Sequence, residues 1–373
     1  RFQGPVYSTG RWPHQGVDFT GQRVAVIGTG SSGVQSIPLI AEQAAQLTVF
    51  QRTPAYSMPS GNRPMDAALE RDWKDNYPDR RARMIDTYGV SIIDYPTRSA
   101  HDFTPAEQRE ILEAGWASKS AFQLMVAFTD VMTDRAANEV VCEFVRGKIR
   151  EIVKDPDTAE TLCPKDYPIG AKRLCIDNGY YEMFNRDNVS LVDVKSAPIL
   201  EFTASGLKTS AAAYDLDVIV TATGFDAVTG ALTRIDITGV HGLTLREKWR
   251  DGPTSYLGFM VAGFPNLFLM LGPNTATGHT STLLYIEPAA QHAIACMKKV
   301  LAGNERWIVV KDDVMQAHNA ALQQRLGGSV WSQCRSWYRM EGGRIVAIFP
   351  GFTAEYVKAV REPRWSDYRL KAS

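Results

Sequence analysis

A run of glycines at residues 28–33, spaced G-x-G-x-x-G, could bind the phosphates of a dinucleotide. It follows the apolar segment 23–27 and precedes helical periodicity, so it would join a buried strand to a helix. Gly28 would permit the tight turn, Gly30 would let the backbone approach a pyrophosphate, and Gly33 would let the helix pack closely on the strand. The free N–H groups and the dipole at the start of the helix would hold the phosphate charge. The alternative is a tight strand-to-helix turn without a ligand.

The residues that end the second apolar segment, 47–50, decide which nucleotide fits. A site for NAD or FAD carries Asp or Glu at this position to bind the ribose hydroxyls, whereas this chain has Gln51, Arg52 and Thr53. Because a guanidinium pairs bidentately with phosphate, Arg52 predicts NADP. The alternative is that Arg52 is only a solvated residue at the end of a strand.

Two further segments carry residues of the kind that line cofactor sites. Lys172 and Arg173 lie between a helical segment and a strand, where such a pair is more often solvated surface than a site. Thr223, Gly224 and Phe225 follow an apolar strand. For these three residues the alternative is an ordinary turn that a glycine closes.

Composition excludes several classes of function. The chain has 373 residues, and its 41 Lys and Arg residues balance 41 Asp and Glu residues, so its net charge gives no attraction for nucleic acid or for an anionic membrane. Its five cysteines have neither disulfide-framework nor metal-ligand spacing, which predicts a reducing, cytoplasmic setting and no metal site. The longest apolar stretch, 256–271, is too interrupted by Gly and Pro to cross a bilayer, and no secretory signal is expected.

The elements that must position these residues follow from the periodicity, which predicts an α/β chain. One βαβ unit comes first, and a charged helical insertion follows it, in which Asn138 would cap a helix that runs to Val153. The pattern then returns to short strands. The predicted elements are, in order, a strand at 23–27, helices at 32–45, 66–76, 80–87, 105–115 and 138–153 with a strand at 47–50 after the first, strands at 189–192, 199–203, 207–209, 217–220 and 267–271, a helix at 281–301 and a strand at 344–348.

The opening residues carry a longer pattern, in which Phe2, Gly4, Ser8, Trp12 and Pro13 stand at fixed spacing. Further distinctive segments are FQRTP at 50–54, GAKRL at 170–174, YYEMFNRDNV at 180–189 and ATGFD at 222–226. In these segments the chain resembles the class B flavoprotein monooxygenases, specifically their Baeyer-Villiger type. The family fingerprint F-x-G-x-x-x-H-x-x-x-W-P has histidine where this chain has Ser8. Its Trp-Pro ending is the Baeyer-Villiger form.

The resemblance implies an NADPH- and FAD-dependent enzyme. Such an enzyme inserts one oxygen atom of O2 into a ketone through a C4a-peroxyflavin and gives an ester or lactone. The resemblance also implies that Arg173 is catalytic and that Lys172 binds the NADP phosphate. A guanidinium suits the catalytic role because its charge is permanent and it can both stabilise an anionic peroxide and polarise the ketone oxygen. An N- or S-oxygenating flavin monooxygenase and an inactive NADP-binding module are the alternatives.

The resemblance extends to the segment 272–281, which is expected beside the flavin ring and in which we assign His279 no acid–base role. Trp337 and Tyr338 resemble an aromatic pair near the substrate channel, with core packing as the alternative. The expected cofactor-binding residues are Gly28, Thr29, Gly30, Ser31, Ser32, Gly33, Gln35, Arg52, Thr53, Lys172, Thr223, Gly224, Phe225 and Asn274.

The implied fold class is an α/β flavoprotein with two dinucleotide-binding domains: a Rossmann-like NADP domain with a helical insertion, and part of an FAD domain. We expect the NADP domain at 1–58 and 168–216, the insertion at 59–167, and the C-terminal part of the FAD domain at 217–373. Family members carry two G-x-G-x-x-G turns and this chain carries only the second, so we expect the N-terminal FAD segment to be missing. Ser8 cannot carry the positive charge of a histidine, so we expect weaker coupling between the two domains.

Overall fold

The computed structural model describes residues 1–85 and 87–372. The predicted helix at 80–87 includes residue 86, and the last predicted domain includes residue 373, both of which lie outside these ranges. The strands are β1 (Val6–Ser8), β2 (Arg23–Ile27), β3 (Gln46–Gln51), β4 (Ser57–Pro59), β5 (Cys175–Asp177), β6 (Val189–Asp193), β7 (Ile199–Phe202), β8 (Gly206–Thr209), β9 (Ala213–Asp215), β10 (Val218–Thr221), β11 (Glu305–Val310) and β12 (Tyr368–Ala372). The helices are α1 (Ser31–Gln43), α2 (Ala67–Asp75), α3 (Tyr77–Ile85), α4 (Pro105–Ala117), α5 (Ala121–Met125), α6 (Arg135–Ile152), α7 (Pro156–Leu162), α8 (Gly230–Thr233), α9 (Leu245–Lys248), α10 (Leu283–Ala302), α11 (Asp312–Gly327) and α12 (Thr353–Arg361).

The chain divides into two compact units. The first unit comprises Arg1–Arg63 and Pro96–Phe225, and the second comprises Pro64–Tyr95 and Asp226–Ser373. Strand β10, which falls in the predicted FAD segment, pairs with β2 inside the first unit. The domain boundaries that the resemblance implies stay predictions, because compactness does not assign a cofactor to either unit.

A five-stranded parallel sheet lies at the centre of the first unit, with the strand order β1-β10-β2-β3-β6. Strands β2 and β3 are rich in β-branched residues and are largely buried, as expected for parallel strands covered on both faces. Ile27 pairs with Thr221 on one side and with Phe50 on the other, so the carboxyl ends of three strands meet at one edge. The first predicted βαβ unit is thereby confirmed, with element ends within two residues of those predicted.

Helix α6 anchors the loop that runs from α7 into β5. The carboxylate of Asp134 caps this helix by accepting a hydrogen bond from the N–H of Ala137. The prediction that Asn138 is the cap is wrong, because Asn138 lies buried inside the helix. Its Nδ2 donates to the carbonyls of Val131 and Ile169, at 2.9 Å each. This amide therefore holds the loop at Ile169, four residues before the predicted catalytic residue Arg173.

The second unit has little regular sheet. Strands β11 and β12 form an antiparallel pair, and α10 packs against β11 and α12. The strands predicted at 267–271 and 344–348 are wrong, because within the described ranges these segments form only isolated bridges. Both segments are apolar because they fill a core and not because they pair in a sheet. The bridges in and beside them join Met260 to Phe268, Arg339 to Ile345 and Ala276 to Ile348.

Two properties of the described chain bear on its environment. Cys142, Cys163, Cys175 and Cys296 are buried and form no disulfide. No helix within residues 1–85 and 87–372 combines the length and the apolar character that crossing a membrane requires.

Candidate functional site

The glycine-rich turn between β2 and α1 has the geometry that its three glycines predict. Gly28 has φ +108°, and a Cβ there would lie 2.5 Å from the carbonyl oxygen of Ala222. A Cβ on Gly33 would lie 2.2 Å from the carbonyl oxygen of Gly28, so helix and turn are too close for a side chain. Gly30 borders open space, since a Cβ built there would meet no other part of the described chain within 4 Å. The turn is therefore tight at its two ends and open in the middle.

The first turn of α1 has no capping side chain. Gly30 is its N-cap with extended backbone, and no acidic residue stands in the first turn. The N–H groups and the positive end of the helix dipole therefore remain for an anion. The Ser31 hydroxyl lies 3.5 Å from the Cys175 thiol, whose pKa is raised by burial. That thiol stays uncharged and brings no competing negative charge to the helix start.

Two other predicted cofactor residues of α1 have neighbours inside the protein. Gln35 donates from Nε2 to the carbonyl of Ile176 at 3.2 Å, which ties α1 to β5. The carbonyl of Ser32 accepts from the hydroxyl of Ser36 at 2.8 Å, and the Ser32 side chain is partly exposed in the first turn. Gln35 thus supports the frame of the site, and its contact with a cofactor stays a prediction.

Two hydrogen bonds hold the end of β3. The buried Gln51 donates from Nε2 to the carbonyl of Thr161 at 2.8 Å. The hydroxyl of Thr29 donates to the carbonyl of Thr53 at 2.9 Å, which joins the glycine turn to this strand end. Arg52, between these two points, is exposed and forms no ion pair with any residue of the described ranges. The backbone is therefore fixed while the guanidinium stays available for a phosphate.

The loop between α7 and β5 carries Lys172, predicted to bind the NADP phosphate, and Arg173, predicted to be catalytic. Gly170 has φ +85°, a backbone conformation that glycine adopts without strain, so it favours the turn in this loop. The ammonium of Lys172 lies 4.3 Å from the ring centroid of Tyr167. Arg173 is exposed and pairs with no carboxylate in the part of the chain that the structure describes. Its positive charge is thus not neutralised there.

Tyr167 contacts both segments that carry predicted phosphate-binding residues, and sequence reasoning missed it. It is buried, and its hydroxyl donates to the carbonyl of Pro54 at 2.8 Å, two residues after Arg52. Its ring packs edge-on against that of Tyr56 at 5.3 Å between centroids. The only sequence signal is an aromatic residue five positions before Lys172, which has no set spacing to the segment around Arg52.

The turn after β10 lies beside the glycine turn. The N–H of Ala222 donates to the carbonyl of the last residue of β2 at 2.8 Å, and the Ala222 carbonyl approaches Gly28. The predicted residues Thr223, Gly224 and Phe225 follow, all exposed, and Gly224 has φ +104°. These three residues therefore lie at the same edge of the sheet as the predicted phosphate turn.

Ser8, at the fingerprint histidine position, ends β1 and pairs with Thr221 of β10. Its hydroxyl accepts a hydrogen bond from the N–H of Gly10 at 3.3 Å. Trp12, four residues later, packs against neighbouring aromatic rings and the core of the first unit. In the first unit the Ser8 side chain thus serves a local turn at the sheet edge.

Asn274 is held inside the second unit by its own amide. It is buried with φ +59°, and its Nδ2 donates to the carbonyls of Ile345 and Ile348 at 2.9 and 3.0 Å. Its Oδ1 is also buried and has no partner in the described chain. A buried acceptor without a donor costs free energy, so a cofactor N–H or hydroxyl would satisfy it.

The other second-unit residues that the resemblance points to are mostly structural. His279 contacts the hydroxyl of Thr353 through Nε2 at 2.8 Å, and burial lowers the pKa of His279 to about 4. This imidazole is therefore neutral at pH 7. Tyr338 is buried in a core cluster, whereas Trp337, 4.3 Å away between ring centroids, is half exposed.

Sequence comparison shows close relatives for nearly the whole chain, although no model of a protein family matches it. A 2-oxo-Delta(3)-4,5,5-trimethylcyclopentenylacetyl-CoA monooxygenase of Pseudomonas putida is 44% identical over 282 residues, which are 74% of this chain and 52% of the relative. A cyclopentanone 1,2-monooxygenase of Comamonas sp. is 35% identical, covering 98% of this chain and 68% of the relative. A phenazine N-monooxygenase of Lysobacter antibioticus is also 35% identical, covering 99% and 68%. The chain spans about half the length of curated relatives such as the Pseudomonas protein.

Solved structures agree with the sequence comparison. An oxidised steroid monooxygenase bound to NADP is 42% identical, with a TM-score of 0.91 over 100% of this chain and 71% of that protein. A closed cyclohexanone monooxygenase is 34% identical, with a TM-score of 0.93 and the same coverage of 100% and 71%. The predicted α/β fold class with a Rossmann-like parallel sheet is confirmed.

Proposed function

Because the chain belongs to the Baeyer-Villiger monooxygenases, we propose that it binds NADPH and FAD and inserts one oxygen atom of O2 into a small ketone. The product would be an ester or lactone. The observation that carries this proposal is the arrangement of the first unit, where an open helix start at Gly30 is combined with exposed Arg52 and Arg173. The relatives that are named for cyclopentanone and cyclohexanone support the choice of a ketone.

The first unit would hold NADP. Its pyrophosphate would lie at the start of α1, where Gly30 leaves room and the helix N–H groups have no capping side chain. The additional phosphate on the adenosine ribose would pair with Arg52 and Lys172, because a guanidinium and an ammonium both bind phosphate strongly. The NADP bound to the steroid monooxygenase supports this assignment.

FAD, when bound, would carry electrons from NADPH to O2. In the second unit the unpaired Oδ1 of Asn274 fits a donor of such a cofactor. Arg173 would act on the oxygen chemistry, because its guanidinium stays protonated at any physiological pH. It would stabilise negative charge that develops on oxygen and would polarise the carbonyl oxygen of the ketone.

The direct test supplies the protein with FAD, NADPH, O2 and a panel of cyclic ketones, and identifies the products by mass spectrometry. Ester or lactone formation is the expected result. Arg173→Ala should lower this formation about 100- to 1,000-fold and leave NADP⁺ affinity unchanged, because it removes transition-state stabilisation and not the nucleotide site. Undiminished oxygenation by Arg173→Ala would remove Arg173 from the mechanism, and failure to bind NADP⁺ would contradict the proposal as a whole.

N-oxygenation is the second candidate, and the relative named phenazine N-monooxygenase favours it. That relative is as similar to this chain as the cyclopentanone 1,2-monooxygenase is. Adding phenazine and a tertiary amine to the panel separates the two functions. An N-oxide without any ester would replace the first proposal with the second.

We also propose a cytoplasmic location and the division into NADP segments 1–58 and 168–216, insertion 59–167 and FAD segment 217–373. Four buried cysteines that form no disulfide fit a reducing compartment. The nucleotide-binding residues of the glycine turn fit the first of these segments.

A further inference from the structure

We propose that Tyr167 is a positioning residue that ties together Arg52 and Lys172, the two cations expected on the NADP ribose phosphate. This inference rests on the proposed binding of NADP. The two cations come from separate segments of the chain, one at the end of β3 and one in the loop before β5. Tyr167 contacts both segments, and each contact uses a different part of its side chain.

The ring of Tyr167 holds the Lys172 side chain. The ammonium lies 4.3 Å from the ring centroid, within the range of a cation–π interaction. A lysine has a long flexible stem, so its ammonium is otherwise spread over many positions. Because the Tyr167 ring is buried and its own position is fixed, stacking on it restricts where the ammonium can be.

The hydroxyl of Tyr167 holds the segment that carries Arg52. It donates to the carbonyl of Pro54 at 2.8 Å and lies 3.4 Å from the N–H of Tyr56, which points to it. Because the Thr29 hydroxyl already holds the preceding carbonyl, of Thr53, the backbone directly after Arg52 is anchored on two sides. Tyr167 therefore contacts the segment after Arg52 through its hydroxyl and the Lys172 side chain through its ring.

A purely structural role is the competing explanation, and Tyr181 provides a matched control for it. Its hydroxyl donates to the next carbonyl along the same loop, of Ala55, at 2.8 Å and accepts from the N–H of Ser57 at 3.1 Å. It is buried like Tyr167. Within the described ranges, however, no cation lies over its ring. Loss of its hydroxyl therefore loosens the loop without releasing a phosphate cation.

The experiment measures the Kd of NADP⁺ and of NAD⁺ by calorimetry for the full 373-residue chain and its variants. Tyr167→Leu, which loses both contacts, should raise the Kd of NADP⁺ about tenfold, and Tyr167→Phe, which keeps the ring, about threefold. The Kd of NAD⁺, which lacks the additional phosphate, should change less than about twofold in either variant. Tyr181→Phe should change the ratio of the two Kd values less than about twofold. Thermal melts accompany each measurement, and Tyr167→Phe keeps the test decisive if Tyr167→Leu does not fold.

A double variant tests whether Tyr167 acts through the lysine. In a Lys172→Ala background, Tyr167→Leu should raise the Kd of NADP⁺ only about threefold, because the cation contact is already gone. Equal weakening of NADP⁺ and NAD⁺ by Tyr167→Leu would overturn the proposal, as would a Tyr181→Phe effect on the ratio as large as that of Tyr167→Leu. A parent chain that does not prefer NADP⁺ to NAD⁺ would instead contradict the proposed NADP site on which the inference rests.

Discussion

The two compact units hold their candidate site residues in different ways. In the first unit a parallel sheet fixes the backbone, and Arg52 and Arg173 extend from its loops, exposed and without ion pairs in the described chain. In the second unit Asn274 is itself buried, and its side-chain amide donates hydrogen bonds to two carbonyls of the core. The first unit therefore separates its structural support from the proposed binding groups, whereas the proposed binding residue of the second unit is itself part of the packed core.

The units also differ in their buried titratable groups. The second unit buries His292 and half-buries His279 and His318, and burial lowers the pKa of all three, that of His279 and of His318 to about 4. The histidines of the first unit, His14 and His101, are exposed. Neutral imidazole inside a core is stable only while the solution is not acidic. The two units should therefore respond to different perturbations: the first to changes in its glycine turn and the second to a fall in pH.

The variant with the greatest predicted effect disrupts the packing of α1 on the glycine turn in the first unit. Gly33→Val should destabilise that unit by about 4 kcal/mol or more, because its Cβ would lie 2.2 Å from the carbonyl oxygen of Gly28 and the backbone would have to move. Hydrogen exchange of peptides from β2 and α1 measures the loss directly. Peptides from α10 and α11 in the second unit should keep their protection.

The matched control is Gly30→Ala in the same turn. A Cβ there meets open space, and alanine at an N-cap costs roughly 0.5–1 kcal/mol relative to glycine, far less than the clash at Gly33. This variant should keep its hydrogen-exchange protection and lose nucleotide affinity, because the methyl group occupies the space proposed for the pyrophosphate. Similar destabilisation by both variants would contradict the assignment of different roles to the two glycines.

The next prediction concerns how the stability of each unit depends on pH. A histidine with a pKa of about 4 in the folded chain and about 6.5 in the unfolded chain binds more protons when unfolded, so stability rises with pH between these values. Lowering the pH from 7 to 5 should therefore destabilise the second unit by about 3 kcal/mol for the two histidines together. Hydrogen exchange or limited proteolysis of α10 and α11 at both pH values measures this loss.

The first unit should change little over the same pH range. The pKa values of its ion-paired Asp217 and Glu160 are lowered to about 2, through hydrogen bonds with Arg23 and Arg150 respectively. Both carboxylates therefore remain charged at pH 5. The double variant His279→Gln, His318→Gln should lose the part of the pH dependence that these two histidines contribute, about 3 kcal/mol, and keep that of the buried His292. Equal acid sensitivity of the two units would show that these histidines are not its cause.

The same contrast explains what could be predicted from the sequence. In the first unit the glycine spacing and short β-branched runs act locally, so the strand, turn, helix and second strand of residues 23–51 could be predicted. In the second unit the apolar runs at 267–271 and 344–348 resemble strands, but they are buried by packing of irregular chain. Periodicity detects burial there and cannot detect which partner causes it.

Side-chain roles followed the same division. The open space at Gly30 and the exposure of Arg52 agree with roles that their positions next to a strand end predict. The hydrogen bonds of the Asn138 side-chain amide and the contacts of Tyr167 could not be predicted. Both side chains join segments that are far apart in the sequence. Such long-range contacts have no spacing pattern in a single sequence.

A smaller effect tests the double purpose of Asn274. Asn274→Ala should destabilise the second unit by about 2 kcal/mol, because two carbonyls lose their donor and alanine is strained at φ +59°. Asn274→Gly loses the same hydrogen bonds, but glycine adopts positive φ without strain. It should therefore destabilise the second unit by about 1 kcal/mol less than Asn274→Ala does. Denaturant unfolding followed by hydrogen exchange in 345–348 measures both. A variant as stable as the parent would mean that the amide is kept for cofactor binding alone.

The smallest effect on stability is expected at Arg52. This residue tests whether the candidate binding groups of the first unit are separate from its structural support. Arg52→Ala should leave the free energy of unfolding within about 0.5 kcal/mol of the parent, because the side chain is exposed and forms no ion pair in the described chain. The same variant should raise the Kd of NADP⁺ about tenfold and that of NAD⁺ hardly at all, since only NADP⁺ has the phosphate that a guanidinium binds bidentately. Urea unfolding and calorimetry on one preparation measure both quantities. A loss of stability with an unchanged ratio of Kd values would show that Arg52 supports the structure of the first unit and does not bind the phosphate. The contrast with Asn274, which is itself part of a packed core, would then fail.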